Sequence, residues 1–147
     1  MPTTVERFML KTEIADDGCW RWTGALYRLT GYAAFSDETR RMTYAHRWAY
    51  EHYVGPIPDG CQVDHLCHNR DASCPGGPTC LHRQCANPDH LRAVIQRDNM
   101  RACVERRGTC RRGHKQDSDN VYVDRRGYRT CLDCVQITNT AKKGTST

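Results

Sequence analysis

This chain of 147 residues lacks long hydrophobic runs and is poor in phenylalanine, of which it has two. No apolar stretch approaches the ~20 residues that a membrane-spanning helix needs, so we expect no membrane segment. Only 38% of the residues are hydrophobic, and a core of that size favours extra cross-links from disulfides or metals. The length indicates one domain, or one core with a small appendage.

We also expect no hydrophobic signal segment, because residues 1–17 are charged and polar. We therefore expect a reducing, cytoplasmic environment. There, ten Cys and seven His indicate zinc rather than disulfides. A secreted, disulfide-stabilised protein is the alternative, which a thiol titration of the denatured chain without reductant would reveal. The net charge of +5 suits a polyanionic partner.

The N-terminal half alternates polar and apolar residues from Cys19 to Tyr44. Glycines interrupt the alternation, which predicts a small antiparallel β-meander. Arginines on its exposed face could enter a DNA major groove or could be simply solvated. Apolar residues at helical spacing predict a helix over Ala45–Val54, which Gly55 and Pro56 end.

The second half has the order strand, loop, strand, helix. The predicted elements are Cys61–Leu66, Cys67–Pro88, Leu91–Val94 and Gln96–Arg107. A loop of about 20 residues is long for a compact domain unless metal ligands hold it in place. A second cysteine cluster occupies residues 109–135, and the polar tail 136–147 is predicted to be disordered.

The C-terminal cluster carries the clearest zinc signal, in which Cys110-x3-His114 precedes Cys131-x2-Cys134. Two such pairs separated by a short hairpin fit a tetrahedral Cys3His site. A closed site leaves no coordination position open, so its role should be structural.

A second zinc site is suggested by Cys67, Cys85 and His90, with a fourth ligand from elsewhere. Cys19 is preferred as the fourth ligand because it would tie the meander to the loop. Its competitors are Cys61, Cys74 and Cys80.

The insert at residues 72–82 contains Cys74, Cys80 and His82. It could bind a third metal of its own, with Cys61 as a further ligand, or contain two reduced thiols. Cys103 on the predicted helix is expected to be a small buried apolar residue.

His65 and Asn99 suggest a catalytic site. A phosphodiester is hydrolysed when a base deprotonates water and the developing negative charge is neutralised. Neutral imidazole makes His65 the candidate base, while Asn99 and Asp64 offer hard oxygens suited to Mg²⁺. Neighbouring side chains on a strand point to opposite faces, so Asp64 needs a distorted strand end to join His65. Singly, His65 could be a zinc ligand and Asn99 a helix N-terminal hydrogen-bonder; their order and spacing favour catalysis.

These motifs together resemble the HNH nucleases, and especially their His-Cys box homing-endonuclease branch. The resemblance rests on the hexapeptide 64–69, on Cys85-x-Asn87-Pro88-x-His90-Leu91 and on Asp98-Asn99. Residues 18–24, 45–47 and 55–58 resemble the flanks of phage-encoded HNH proteins, and residues 110–134 resemble the zinc knuckle that often follows them.

The resemblance implies an α+β fold: a zinc-stabilised ββα-metal (HNH, His-Me finger) nuclease with an N-terminal antiparallel β-meander. It implies that His65 is the general base, that Asn99 and Asp64 ligate Mg²⁺, and that Asn87 braces the loop holding His65. It also implies a structural zinc site and an arginine on the scissile phosphate. The zinc ligands would be Cys19, Cys67, Cys85 and His90, and the arginine would be Arg40, Arg41 or Arg47.

The expected function is Mg²⁺-dependent hydrolysis of double-stranded DNA to 5′-phosphate and 3′-hydroxyl ends, in intron homing or phage DNA processing. One such site cuts one strand, so double-strand cleavage would require a homodimer. The expected domains are a nuclease core at 1–108, a zinc knuckle at 109–135 and the tail at 136–147. The alternative is a non-catalytic zinc module that binds nucleic acid.

Overall fold

Two compact units make up the chain in a computed structural model, which describes residues 1–143. The first unit comprises Met1–Asn99 and the second Met100–Thr147. Helices and two-stranded antiparallel sheets are mixed, which confirms the α+β class at this level. No helix within residues 1–143 is long and apolar enough to cross a membrane.

A short N-terminal helix that the sequence analysis missed begins the first unit. Helix α1 (Thr4–Met9) is capped by Thr3, whose hydroxyl accepts from the Glu6 amide while the Glu6 carboxylate accepts from the Thr3 amide. This reciprocal cap satisfies two donors that the first turn leaves without helical partners. The helix buries Phe8 completely.

Two separate hairpins replace the predicted meander over Cys19–Tyr44. Strand β1 (Thr12–Ile14) pairs with β2 (Trp20–Trp22), and β3 (Ala34–Ser36) pairs with β4 (Met42–Tyr44). The meander was wrong because β2 takes its partner from earlier in the chain, and a strand of three residues is too short to show a clear alternation. Helix α2 (Ala45–Tyr53) follows β4 directly, as predicted within one residue.

Aromatic rings fill the core of the first unit. The Phe8 ring centroid lies 5.3 Å from those of Trp22 and Phe35 and 4.6 Å from that of Trp48. Small alanines on α2, Ala45 and Ala49, allow the helix to approach these rings closely. Tryptophan thus supplies much of the apolar volume that the shortage of phenylalanine leaves missing.

The antiparallel pair β5 (Cys61–His65) and β6 (Leu91–Ile95) is followed without a break by helix α4 (Gln96–Arg107). The predicted order of strand, loop, strand and helix is therefore present. The long loop between the strands contains helical turns, which satisfy part of its own backbone hydrogen bonding. These turns are α3 (Leu66–Arg70) and 3₁₀ turns at Leu81–Gln84 and Pro88–His90.

The second unit holds most of α4, the hairpin of β7 (Val121–Val123) with β8 (Arg129–Cys131), and helix α5 (Leu132–Lys143). Helix α5 corrects the predicted disorder over residues 136–143. Its first turn contains Cys134, a member of the C-terminal cluster, so a tertiary anchor starts a helix that polar composition alone did not indicate. The last predicted tail residues, 144–147, lie outside the described part of the chain.

Candidate active site and metal centres

Four predicted zinc ligands of the first unit meet in the structure. Their ligand atoms lie within 4.8 Å of one another, and His90 Nδ1 is 3.6 Å from the Sγ atoms of both Cys19 and Cys85. With Zn–S near 2.3 Å and Zn–N near 2.1 Å, a tetrahedron has a sulfur–nitrogen edge of about 3.6 Å. The donor set and its spacing therefore fit zinc. The set is Cys19, Cys67, Cys85 and His90.

The thiols of this cluster are buried, and they influence one another's protonation. Cys19 is 1% exposed and Cys85 is fully buried. Hydrogen bonding with Cys67 lowers the pKa of the Cys85 thiol to about 5, while burial raises the pKa of Cys19 to about 12. All ten cysteines are free thiols, an arrangement that suits zinc rather than a disulfide framework.

The C-terminal cluster in the second unit has the same kind of geometry. His114 Nδ1 lies 3.5 Å from Cys110 Sγ, 3.6 Å from Cys131 Sγ and 3.3 Å from Cys134 Sγ. The Sγ atoms of Cys110 and Cys134 are 3.8 Å apart, and the sulfur–sulfur edge of a zinc tetrahedron is about 3.8 Å. These four side chains could hold a second zinc ion.

A third cluster lies in the insert and differs from the one considered for that segment. It combines His68, Cys74, Cys80 and His82, whose ligand atoms also lie within 4.8 Å of one another. Cys61 is not a member, because it lies on β5 opposite Ile95. Sequence reasoning missed His68, which belongs to α3 and reaches the insert only through the folding of the loop.

His65 ends β5, is 5% exposed and belongs to none of the three clusters found among the described residues. Its Nε2 lies 3.0 Å from the Cys85 carbonyl oxygen. A carbonyl can only accept, so Nε2 carries the hydrogen and Nδ1 presents its lone pair. Burial lowers the pKa of His65, which keeps the ring neutral near pH 7. The side chain is thus in the protonation state that a base requires.

A second imidazole, which the sequence analysis noted only as part of a flanking motif, lies beside His65. The ring centroids of His46 and His65 are 4.8 Å apart, and that of Tyr32 lies 6.1 Å from His65. His46 Nδ1 is buried without a hydrogen-bond partner among the described residues, and burial lowers the pKa of His46 well below its ordinary value. One neutral imidazole and one phenol therefore line one side of His65.

Asp64 has different surroundings. Its Oδ2 accepts hydrogen bonds from the Arg92 guanidinium at 3.0 and 3.1 Å and from the Asn69 amide at 2.6 Å. Arg92 is its cross-strand partner, and the pairing continues regularly to His65 opposite Leu91. The strand end is therefore not distorted in its pairing, contrary to the sequence-based requirement, and the contacts of Asp64 and His65 differ as expected for opposite faces.

Asn99 lies on α4 and donates from Nδ2 to Gln62 Oε1 at 3.1 Å. Gln62 and Asp64 are two residues apart on β5, so their side chains share a face. The bond to Gln62 occupies the amide nitrogen of Asn99 and leaves its oxygen as the group for a cation. An amide oxygen and a carboxylate near one face are a donor set that fits Mg²⁺.

Asn87 links two parts of the first cluster. Its Nδ2 donates to the Gly18 carbonyl at 2.7 Å, and its Oδ1 accepts from the Asp89 amide at 3.0 Å. Gly18 precedes Cys19, and Asn87 lies between Cys85 and His90, so this side chain braces the ligand-bearing loop. The Cys85 carbonyl accepts a hydrogen bond from His65, so Asn87 also helps to position the candidate base.

The structure separates the three candidate arginines. Arg40 and Arg41 are exposed in the turn of the β3–β4 hairpin, at the end away from Tyr44. Tyr44 stacks on His46 with ring centroids 5.6 Å apart. Arg47 follows His46 on α2 and is partly buried, which places it nearer to the surroundings of His65 than the other two.

Comparisons with known proteins match part of this region of the chain. Residues 43–72, which include His46 and His65, match a family model described as HNH endonuclease. A stretch of 55 residues is 38% identical to an uncharacterized gene 5.3 protein of Enterobacteria phage T3, and it covers 37% of this chain and 42% of that protein. No solved structure gives a significant match. The predicted resemblance to HNH nucleases and phage proteins is confirmed for this part of the chain.

Proposed function

We propose, from the HNH endonuclease match at residues 43–72, that this chain is a metal-dependent DNA endonuclease with a ββα-metal core of β5, β6 and α4. Its nuclease core would span residues 1–108 and its zinc knuckle residues 109–135. The two predicted zinc sites hold the scaffold and take no part in the chemistry, because four protein ligands close each of them.

The hydrogen bond from His65 to the Cys85 carbonyl is the observation that carries this proposal. It fixes the tautomer, so that Nδ1 takes a proton from a water molecule. The oxygen of that water then attacks phosphorus, and the bond from phosphorus to the 3′-oxygen breaks. The 5′-phosphate keeps the new oxygen, and the departing 3′-oxygen takes a proton from solvent to become a hydroxyl.

The oxygens of Asp64 and Asn99 would hold Mg²⁺. Bound there, the ion would neutralise charge on the phosphate and on the departing oxygen. Arg92 orients the Asp64 carboxylate through two hydrogen bonds to Oδ2. Gln62 orients the Asn99 amide in the same way.

Double-stranded DNA is the proposed substrate, and Arg47 is the proposed contact of the scissile phosphate. The net charge of +5 favours a polyanion. The likeness to a phage protein fits action in the cytoplasm of an infected bacterial host, in phage DNA processing or homing. Cutting both strands would take two copies of the site, and therefore a homodimer or two successive nicks.

The test is incubation of zinc-loaded protein with supercoiled plasmid, with and without Mg²⁺. We expect nicked or linear product with Mg²⁺ and little without it. His65→Ala should lower the rate by about 10²- to 10⁴-fold because the proton acceptor is gone. His52→Ala is the matched control, since His52 is an exposed histidine of α2. Unchanged cleavage by His65→Ala would refute His65 as the base, and zinc and DNA binding without any cleavage would favour a non-catalytic module.

A further inference from the structure

The insert between α3 and Cys85 holds a set of metal donors separate from those of the two predicted zinc sites. We propose that His68, Cys74, Cys80 and His82 bind a third zinc ion, which fixes the insert against the loop that carries Tyr32. Two thiols and two imidazoles are a donor set typical of structural zinc sites. The site stands independently of the proposed nuclease activity.

The distances within this cluster match a zinc tetrahedron. Cys80 Sγ lies 3.4 Å from Cys74 Sγ, 3.4 Å from His68 Nδ1 and 3.6 Å from His82 Nδ1. The expected edges are about 3.8 Å between sulfurs and about 3.6 Å between sulfur and nitrogen. A disulfide would require the sulfurs to approach to about 2.05 Å. The cluster therefore has the spacing of the two predicted sites, without the covalent alternative.

A carboxylate lies behind His82, just beyond hydrogen-bonding distance. His82 Nδ1 faces the cluster, and its Nε2 lies 3.7 Å from Asp71 Oδ2. The other oxygen of Asp71 accepts hydrogen bonds from the amide and hydroxyl of Ser73, which fix the carboxylate. The second nitrogen of a zinc-ligating histidine regularly donates its hydrogen to such an acceptor, and Asp71 lies on the side where that acceptor is expected.

The insert has little regular secondary structure to keep it ordered. Residues 75–78 read Pro-Gly-Gly-Pro, and no strand or long helix forms between Asp71 and Cys80. Leu81 is 55% exposed, whereas Cys80 is 4% exposed. Fixing each residue costs about 1–2 kcal/mol of backbone entropy, which so small an apolar surface does not offset. A metal bond network at Cys80 supplies the missing stabilisation.

The ordered insert supports the surroundings of His65. Arg83 follows the ligand His82, donates to the Thr30 carbonyl, and lies with its guanidinium carbon 4.7 Å from the Tyr32 ring centroid. The Pro78 backbone lies so close to Gly31 that a side chain there would clash. Tyr32 in turn stacks on His65. The third zinc ion would therefore influence the site through the position of Tyr32.

Zinc content by elemental analysis, paired with the free-thiol count of the denatured chain without reductant, tests the proposal. The wild-type chain should carry three zinc ions and ten thiols. Both His82→Ala and Cys74→Ser should carry two zinc ions. Cys61→Ser is the matched control, because Cys61 is a partly buried cysteine outside the three clusters, and it should keep three.

Two zinc ions in the wild-type chain would overturn the proposal, and eight free thiols beside them would identify a disulfide between Cys74 and Cys80 instead. Three zinc ions in His82→Ala would overturn it as well. His82→Cys replaces one zinc ligand by another and should restore three ions; it decides the matter if His82→Ala fails to fold. A chain with three zinc ions and no plasmid cleavage would refute the nuclease function while leaving this site intact.

Discussion

Two adjacent residues at the end of β5, Asp64 and His65, have different roles in the proposed chemistry. His65 lies against an imidazole and a phenol, whereas Asp64 lies against a guanidinium and an amide. The two side chains belong to consecutive residues, whose Cα atoms are 3.8 Å apart, and they leave the strand on opposite faces. Burial among these rings keeps the candidate base His65 neutral. The polar groups around Asp64 hold its carboxylate in place for a cation. Regular strand alternation, rather than distortion, provides the two environments.

At this scale we predict that Asp64→Asn raises the Mg²⁺ concentration needed for half-maximal cleavage by about tenfold or more. The amide keeps an oxygen that accepts from Arg92, so folding should be preserved, while the negative charge that attracts the cation is lost. The measurement is a Mg²⁺ titration of the plasmid nicking rate.

Asp98→Asn is the control for that titration. Asp98 is an exposed carboxylate on α4 whose Oδ1 lies 3.5 Å from Arg97 Nε, and its removal changes the net charge equally. The control should titrate like the parent. A Mg²⁺ dependence of Asp64→Asn that matches the control would remove Asp64 from the proposed metal site.

The first unit is made of short helices and strands, and one of them, α1, contributes a ring to the centre of the core. Helix α1 has six residues, too few to be stable by itself. Its contribution is the Phe8 ring, which contacts three other aromatic rings within 5.3 Å. The helix therefore owes its stability to tertiary packing and to the cap at Thr3.

For this element we predict that Phe8→Ala lowers the free energy of unfolding by about 3–5 kcal/mol, because it leaves a cavity among the rings. Urea unfolding followed by tryptophan fluorescence measures the loss. Leu10→Ala is the control: Leu10 is 78% exposed, so the change should be within about 0.5 kcal/mol. An equal loss in both variants would show that α1 does not close the core.

The elements also show where sequence reasoning succeeds. The candidate zinc ligands from Cys110 to Cys134 follow a short spacing that is set by local turns, and the structure brings those four side chains together. The order of β5, β6 and α4 follows from residue pattern. Thr3 and Glu6 form a capping box that is visible in the sequence, yet six residues give no periodicity to support a helix. His68 joins the insert only through tertiary folding, which spacing does not encode.

At the scale of the whole molecule, each candidate metal cluster found among the described residues draws its side chains from a single unit. Two clusters lie within residues 1–99 and one within residues 100–143. A chain with 38% hydrophobic residues has little apolar surface to bury, so zinc bound at these clusters would stabilise each unit separately. Loss of one cluster should therefore destabilise mainly the unit that contains it.

Tryptophan fluorescence can measure whether the loss of a cluster destabilises mainly its own unit. Trp20, Trp22 and Trp48 all belong to the first unit, so tryptophan emission reports on that unit. We predict that Cys134→Ser loses one zinc ion and leaves the emission maximum and its thermal transition unchanged. Cys85→Ser should shift the emission to the red and lower the transition temperature, because it removes a buried ligand beside the core.

Cys103→Ser controls for the loss of a thiol, since Cys103 is a partly buried cysteine of α4 outside the clusters. It should keep both the zinc content and the emission of the parent. A red shift in Cys134→Ser as large as that in Cys85→Ser would contradict the separate dependence of the two units. The chain would then unfold as one cooperative body. Zinc at the cluster containing Cys134 would stabilise the aromatic core as much as zinc at the cluster containing Cys85.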